Sequence, residues 1–203
     1  MTRFTIRTAL VLLAGACWAC STPPTIVSNN SAQAPAQPTS QTSRGSQGDL
    51  QLKAPDGWVS ERPSSSMRVS QYQLPAAPGD AEPASLVVYF FGAGQGGSVD
   101  ANLERWIGQM QTSDGRPAKG NAKTETTTVN GLKVTLLDVS GTYSGSDMGG
   151  GAPAQTKPNY RMRAGVIETP RGAYFIKLVG PEKTVNRWDQ SFQEFIKSAE
   201  FKG

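Results

Sequence analysis

The chain of 203 residues contains no histidine. That removes Ser-His-Asp and Cys-His catalysis, histidine-ligated zinc and an imidazole switch near neutral pH. Its two cysteines, Cys17 and Cys20, both fall within the first twenty residues. With those in a leader, the folded part has neither a thiol nucleophile nor a disulfide. Charge is sparse as well: 20 Lys and Arg stand against 16 Asp and Glu, a formal +4. Arg3 and Arg7 belong to the leader, which leaves 18 against 16, or +2. No Lys/Arg run or basic stripe is present to neutralise several phosphates, so nucleic acid is not an expected partner. Asp147 sits in a glycine-rich stretch without the acidic repeat of a calcium loop. No metal and no cofactor are expected. No apolar run reaches the roughly twenty residues that span a bilayer, and no internal repeat is found.

What is present begins with that leader. Arg3 and Arg7 precede an apolar run from Ala9 to Ala16, then Cys17, Cys20 and a Ser/Pro stretch. This is the layout of a secretory signal, and cysteine at the cut resembles a bacterial lipoprotein leader. Two cuts compete. Before Cys17 stand Leu13, Ala14, Gly15 and Ala16, with leucine one place too early. Before Cys20 stand Cys17, Trp18 and Ala19, where Trp18 fits poorly, but Cys20 leaves the longer apolar run. The reading favours Cys20, with Cys17 as the alternative. The resemblance implies a diacylglyceryl group on the sulfur and a membrane anchor. Each buried CH₂ adds roughly 0.8 kcal/mol, and two or more chains hold stably. Ser21 lacks the aspartate of inner-membrane retention, which points to the outer membrane if the host has one. The other reading is an ordinary secreted protein with an incidental cysteine.

Residues 21–47 are Ser, Thr, Pro, Gln, Asn, Ala and Gly, with Arg44 the only charge and almost no apolar content after Ile26 and Val27. Such a segment buries too little apolar surface to offset ordering entropy, so a disordered tether is expected. Its r.m.s. reach would be roughly 30 Å. Residues 48–203 have the composition of one globular domain, long enough for a core without staples.

Within that domain, strands are expected at 50–53, 67–74 and 85–91. The second slips phase between Val69 and Tyr72, as at a bulge. The third is apolar throughout and reads as a central strand covered on both faces. Asn130-Gly131 joins 123–129 to 132–140 and is the strongest hairpin signal. A second hairpin joins 160–168 to 173–179 through Thr169-Pro170-Arg171-Gly172. Ser98 caps a helix whose face is Val99, Leu103, Trp106, Ile107 and Met110. A second helix is expected over 181–198, with Pro181 in its first turn and a stripe of Val185, Trp188, Phe192, Phe195, Ile196 and Ala199. Most neighbouring strands are joined too tightly to be parallel. The fold class is therefore α+β, with a mainly antiparallel central sheet and helices packed on it.

Three features resemble one known group. They are Pro55-Asp56-Gly57-Trp58, the late hairpin with Tyr174-Phe175-Ile176-Lys177, and the closing Trp188-x3-Phe192-x2-Phe195-x2-Ser198 helix. Together they are similar to the PsbP-like superfamily over about residues 50–203. The resemblance implies an α/β/α sandwich and implies no activity, because members serve as accessory or binding subunits. The stretches from Gly94 to Trp106 and from Lys177 to Val185 also look like uncharacterised exported bacterial proteins.

Two surfaces are candidates for a ligand or partner. Gly92-Ala-Gly94-Gln-Gly96-Gly97 follows a strand and opens a helix at Ser98, as a dinucleotide fingerprint does. The threonine-rich strand that follows turns straight back at Asn130-Gly131, so no parallel crossover develops. Gly94, Gly96, Gly97 and Ser98 then read as a glycine-rich turn, or as a binding loop for another anion or partner. Arg161 and Arg163 lie beyond a Gly-rich loop at 145–159, and a period of two puts them on one sheet face. Arginine pairs suit carboxylates and phosphates; the plain alternative is a solvated strand face. No residues are assigned as catalytic. The expected function is a non-catalytic module tethered in the cell envelope that binds an envelope protein or small ligand. The alternatives are an envelope enzyme using carboxylate or lysine chemistry, and a structural envelope protein.

Overall fold

The computed structural model describes residues 50–145 and 156–203. The expected leader with Cys17 and Cys20, the expected tether, Asp147 and most of the 145–159 loop lie outside the described residues. In chain order the elements are β1 (Leu50–Gln51), β2 (Val59–Glu61), β3 (Arg68–Leu74), β4 (Ala84–Phe90), α1 (Val99–Gly108) and β5 (Met110–Gln111). Then follow β6 (Lys123–Val129), β7 (Leu132–Tyr143), β8 (Lys157–Thr169), β9 (Gly172–Pro181), α2 (Glu182–Arg187), α3 (Asp189–Lys197) and β10 (Glu200–Phe201). Eight strands form one antiparallel sheet in the order β2-β3-β4-β9-β8-β7-β5, and β6 also pairs with β7. β1 and β10 make a separate two-stranded pair. The fold class is α+β with a mainly antiparallel sheet, as the turn spacing indicates.

Alternation divides the sheet into two apolar faces. On one, Tyr72, Leu86, Val134, Ile167 and Ile176 pack against Val185, Phe192, Phe195 and Ile196 of α2 and α3. On the other, Val87, Val139, Met162, Ala164 and Phe175 pack against Leu103 and Trp106 of α1. β4 sits between β3 and β9 and is buried on both faces, which explains its unbroken apolar run. Full burial of a side chain such as Phe192 or Phe195 contributes about 1.5–3 kcal/mol.

The Asn130-Gly131 turn has φ of 48° and 82°, the left-handed pair that a two-residue hairpin needs. β8 and β9 close around Pro170-Arg171, with Thr169 opposite Gly172. In β3 the register breaks between Arg68 and Ser70, one residue before the expected slip. The expected helix over 181–198 is corrected: it is two helices. Trp188 (φ −99°, ψ 9°) interrupts it, and Trp188 Nε1 donates to Pro75 O at 2.8 Å. Pro181 ends β9 and stands before the helix rather than in its first turn. β2, β5 and β10 are two or three residues long and have no signature of their own in the sequence.

Candidate functional site

The glycine loop between β4 and α1 is built inward. Gly94, Gly96 and Gly97 all have positive φ. A Cβ at Gly96 would lie 2.5 Å from a ring carbon of Phe175 and 2.8 Å from one of Phe91, so only glycine fits. Ser98 caps α1 by accepting from the Ala101 N–H at 3.2 Å. Asn102, 1 % exposed, donates through Nδ2 to Gly96 O and Ser98 O, each at 2.8 Å. Its Oδ1 accepts from Arg105 Nη2 at 2.5 Å. The loop's carbonyls are thus tied to the helix it opens. The sequence reading missed Asn102 because it followed only the apolar stripe of α1. The polar residue four places after the N-cap was the available signal.

Arg161 and Arg163 do share a face, but on the opposite side of the sheet from the glycine loop. The two candidate surfaces therefore do not meet. Arg161 grips Asp138 of β7 with two bonds, Nε to Oδ1 at 2.8 Å and Nη2 to Oδ2 at 2.7 Å. Its Nη1 donates to Asn186 Oδ1 at 2.6 Å. Arg163 donates to Asp189 of α3, and its guanidinium lies 5.3 Å from the centre of the Phe192 ring. Two cations and two carboxylates form one half-buried lattice between β7, β8 and the closing helices. Burial raises the Asp138 carboxyl, but hydrogen bonds from Arg161 and the charges of Arg161, Arg163 and Lys123 outweigh it. The net position of Asp138 is below the ordinary carboxylate value. The pair is thereby engaged in holding the helices to the sheet.

A second polar group stands on the α1 face. Glu82 accepts from Lys157 Nζ at 2.6 Å and from the Tyr160 hydroxyl. Those bonds, Lys157's first, hold the Glu82 carboxyl below its usual value. Burial and then the Glu82 contact push the Tyr160 phenol well above its own. Tyr160 stacks on Tyr143 at 6.0 Å, and Tyr143 Oη accepts from Lys177 Nζ at 3.0 Å. Lys177, 8 % exposed, also donates to Gln109 Oε1 at 2.8 Å. It lines a crevice under α1 with a volume of about 10 Å³, room for about one water molecule.

The most open feature is β6. Among the described residues it pairs with β7 alone, from Lys123 opposite Asp138 to Val129 opposite Leu132, with no register break. A two-residue hairpin makes the residues flanking its turn a mutually bonded pair. In an antiparallel ladder, bonded and non-bonded pairs then alternate. Val129, Thr127, Glu125 and Lys123 therefore bond to β7. Thr124, Thr126 and Thr128 direct their N–H and C=O groups away from the sheet. Five of the seven side chains are exposed and two are half-buried.

Among the described residues no cluster of three acidic or cysteine side chains could hold a metal, and no helix is long and apolar enough to cross a membrane. No family model and no curated protein matches the sequence. Solved structures with a distant similarity include PA94 of Pseudomonas aeruginosa, a protein of unknown function. It has 15% identity and a TM-score of 0.46, over 72% of this chain and 98% of that one. LpqN of Mycobacterium tuberculosis, involved in cell envelope biogenesis, has 14% identity and a TM-score of 0.47, over 76% and 83%. Cyanobacterial PsbP (CyanoP) of Synechocystis sp. PCC 6803 has 10% identity and a TM-score of 0.45, over 76% and 87%.

Proposed function

We propose that the chain is a non-catalytic binding module of the cell envelope, anchored through an acylated cysteine, which takes up an extended segment of a partner protein along β6. The observation that carries this reading is the unpaired outer side of that strand. An edge of seven residues without proline or bulge is a template for another strand. The opposite edge, β2, is three residues long, and Pro63 follows two residues after it, so that edge is blunted. Three outward residues offer about six main-chain hydrogen bonds. Each contributes about 0.5–1.5 kcal/mol net, before the cost of ordering the incoming segment. Lys123 and Glu125 flank the opening with one charge of each sign, and the threonine hydroxyls add polar contacts.

The test compares two proteins anchored in their native envelope. Thr126→Pro removes an outward N–H and leaves the β7 ladder whole. The wild-type chain is expected to retain a cross-linked partner that Thr126→Pro loses, while Arg161→Ala retains it. Equal retention by Thr126→Pro would dismiss the edge as the docking element.

A further inference from the structure

We infer that β6 selects the segment it takes up by charge and register. The segment it fits is an antiparallel strand that reads, from its N-terminus, apolar-x-β-branched-x-basic-x-acidic. The inference rests on strand addition at β6 and specifies the chemistry of the partner. The strand pairs of the eight-stranded sheet are antiparallel. Antiparallel pairs are also the more stable per residue, so an added strand continues that alternation. Its first residue then lies opposite Val129 and its last opposite Lys123.

The inner and outer ladders of β6 are out of phase. Lys123, Glu125, Thr127 and Val129 bond inward to β7. On the outer side they therefore take the non-bonded positions, where Cα atoms approach to about 4.5 Å and side chains meet most closely. A period of two puts these four on one face. Val129 is half-buried against the core beneath α2 and α3, so an apolar residue opposite it extends that core. Thr127 is half-buried too, and a β-branched residue suits such a position. Lys123 and Glu125 are exposed, and among the described residues neither is held in an ion pair. Asp138, across the inner ladder from Lys123, is already gripped by Arg161. Opposite charges directly across a ladder stabilise it and like charges weaken it. A basic residue is therefore selected opposite Glu125 and an acidic one opposite Lys123. A second copy of β6 does not meet this pattern. In full antiparallel overlap, Lys123 of each copy meets Val129 of the other, and Glu125 meets Thr127.

The probes are two synthetic peptides of the same composition. The matched one reads Val-Thr-Val-Thr-Lys-Thr-Glu, and in the swapped one Lys and Glu exchange places. Each is titrated into the full chain labelled with nitrogen-15, and the amides of Thr124, Thr126 and Thr128 are followed by NMR. The matched peptide is expected to give saturable shifts with a dissociation constant of about 1 mM. The swapped peptide is expected to bind about tenfold more weakly. In 1 M sodium chloride, where screening acts within about 3 Å, that preference is expected to fall below about threefold. Glu125→Lys, an exposed change, leaves one matched and one like-charge pair with either peptide, so the preference is expected to vanish. Equal affinity for the two peptides would overturn the charge pattern and leave strand addition standing, as would a preference that survives high salt or Glu125→Lys. No saturable shift at the three amides with either peptide would overturn strand addition itself, and the pattern with it.

Discussion

Asp138 carries more of the structure than its position in a strand suggests. It is bonded twice to Arg161 and lies 3.8 Å from Arg163. Its side chain is 29% exposed and theirs are 15% and 10%, so the cluster is only partly screened. Asp138→Asn would leave two cations facing one remaining carboxylate, and a loss of about 2 kcal/mol is expected. The sign with pH follows from the direction of the shift. The folded-state value of Asp138 is depressed, so between it and the ordinary value of about 4 the unfolded chain binds the extra proton. The stabilisation is complete above that ordinary value and fades as pH falls through the folded one. Urea midpoints measured from pH 6 to pH 2 are expected to fall more steeply for the wild type than for Asp138→Asn. Parallel curves would show that the pairing adds nothing. Alternation in the sequence does put Arg161 and Arg163 on one face. It does not reveal what that face meets, because the carboxylates come from 23 and 26 residues away. Asn102 was hidden differently: a polar residue on an amphipathic helix reads as solvent-facing unless the loop it caps is known.

At the scale of elements, local chemistry governs the parts that were legible. Asn130-Gly131 and Thr169 to Gly172 mark both long hairpins, because positive φ and a short polar link need particular residues. β4 was legible from its apolar run. The break at Trp188 was not, since its stripe is compatible with a continuous helix. The indole instead reaches Pro75, 113 residues away, and overlies Gly57. β2 and β5 are each held by a longer neighbour, and β10 pairs with the equally short β1, so none has a pattern long enough to read. The orientation of β6 gives a paired prediction. Thr126→Pro is expected to change stability by less than about 1 kcal/mol, because its N–H faces outward. Thr127→Pro removes a ladder bond to β7 and is expected to cost about 3 kcal/mol. Thermal melts of the two variants check this, and equal losses would mean that the inward and outward positions are assigned wrongly.

At the scale of the whole molecule, the expected lipid anchor and the folded domain make separate predictions. Replacing Cys17 and Cys20 together by Ser is expected to release the chain from membranes into the soluble fraction. Unchanged sedimentation with membranes would remove the lipid anchor from the account. The docking element proposed for the domain is the open edge of its sheet. Main-chain hydrogen exchange at Thr124, Thr126 and Thr128 measures that edge directly, in the full chain alone and bound to its cross-linked partner. The three amides are predicted to exchange quickly in the free chain, while Lys123, Glu125, Thr127 and Val129 are slow, and to become protected in the complex. Slow exchange at all seven positions in the free chain, or no gain of protection in the complex, would contradict strand addition at β6.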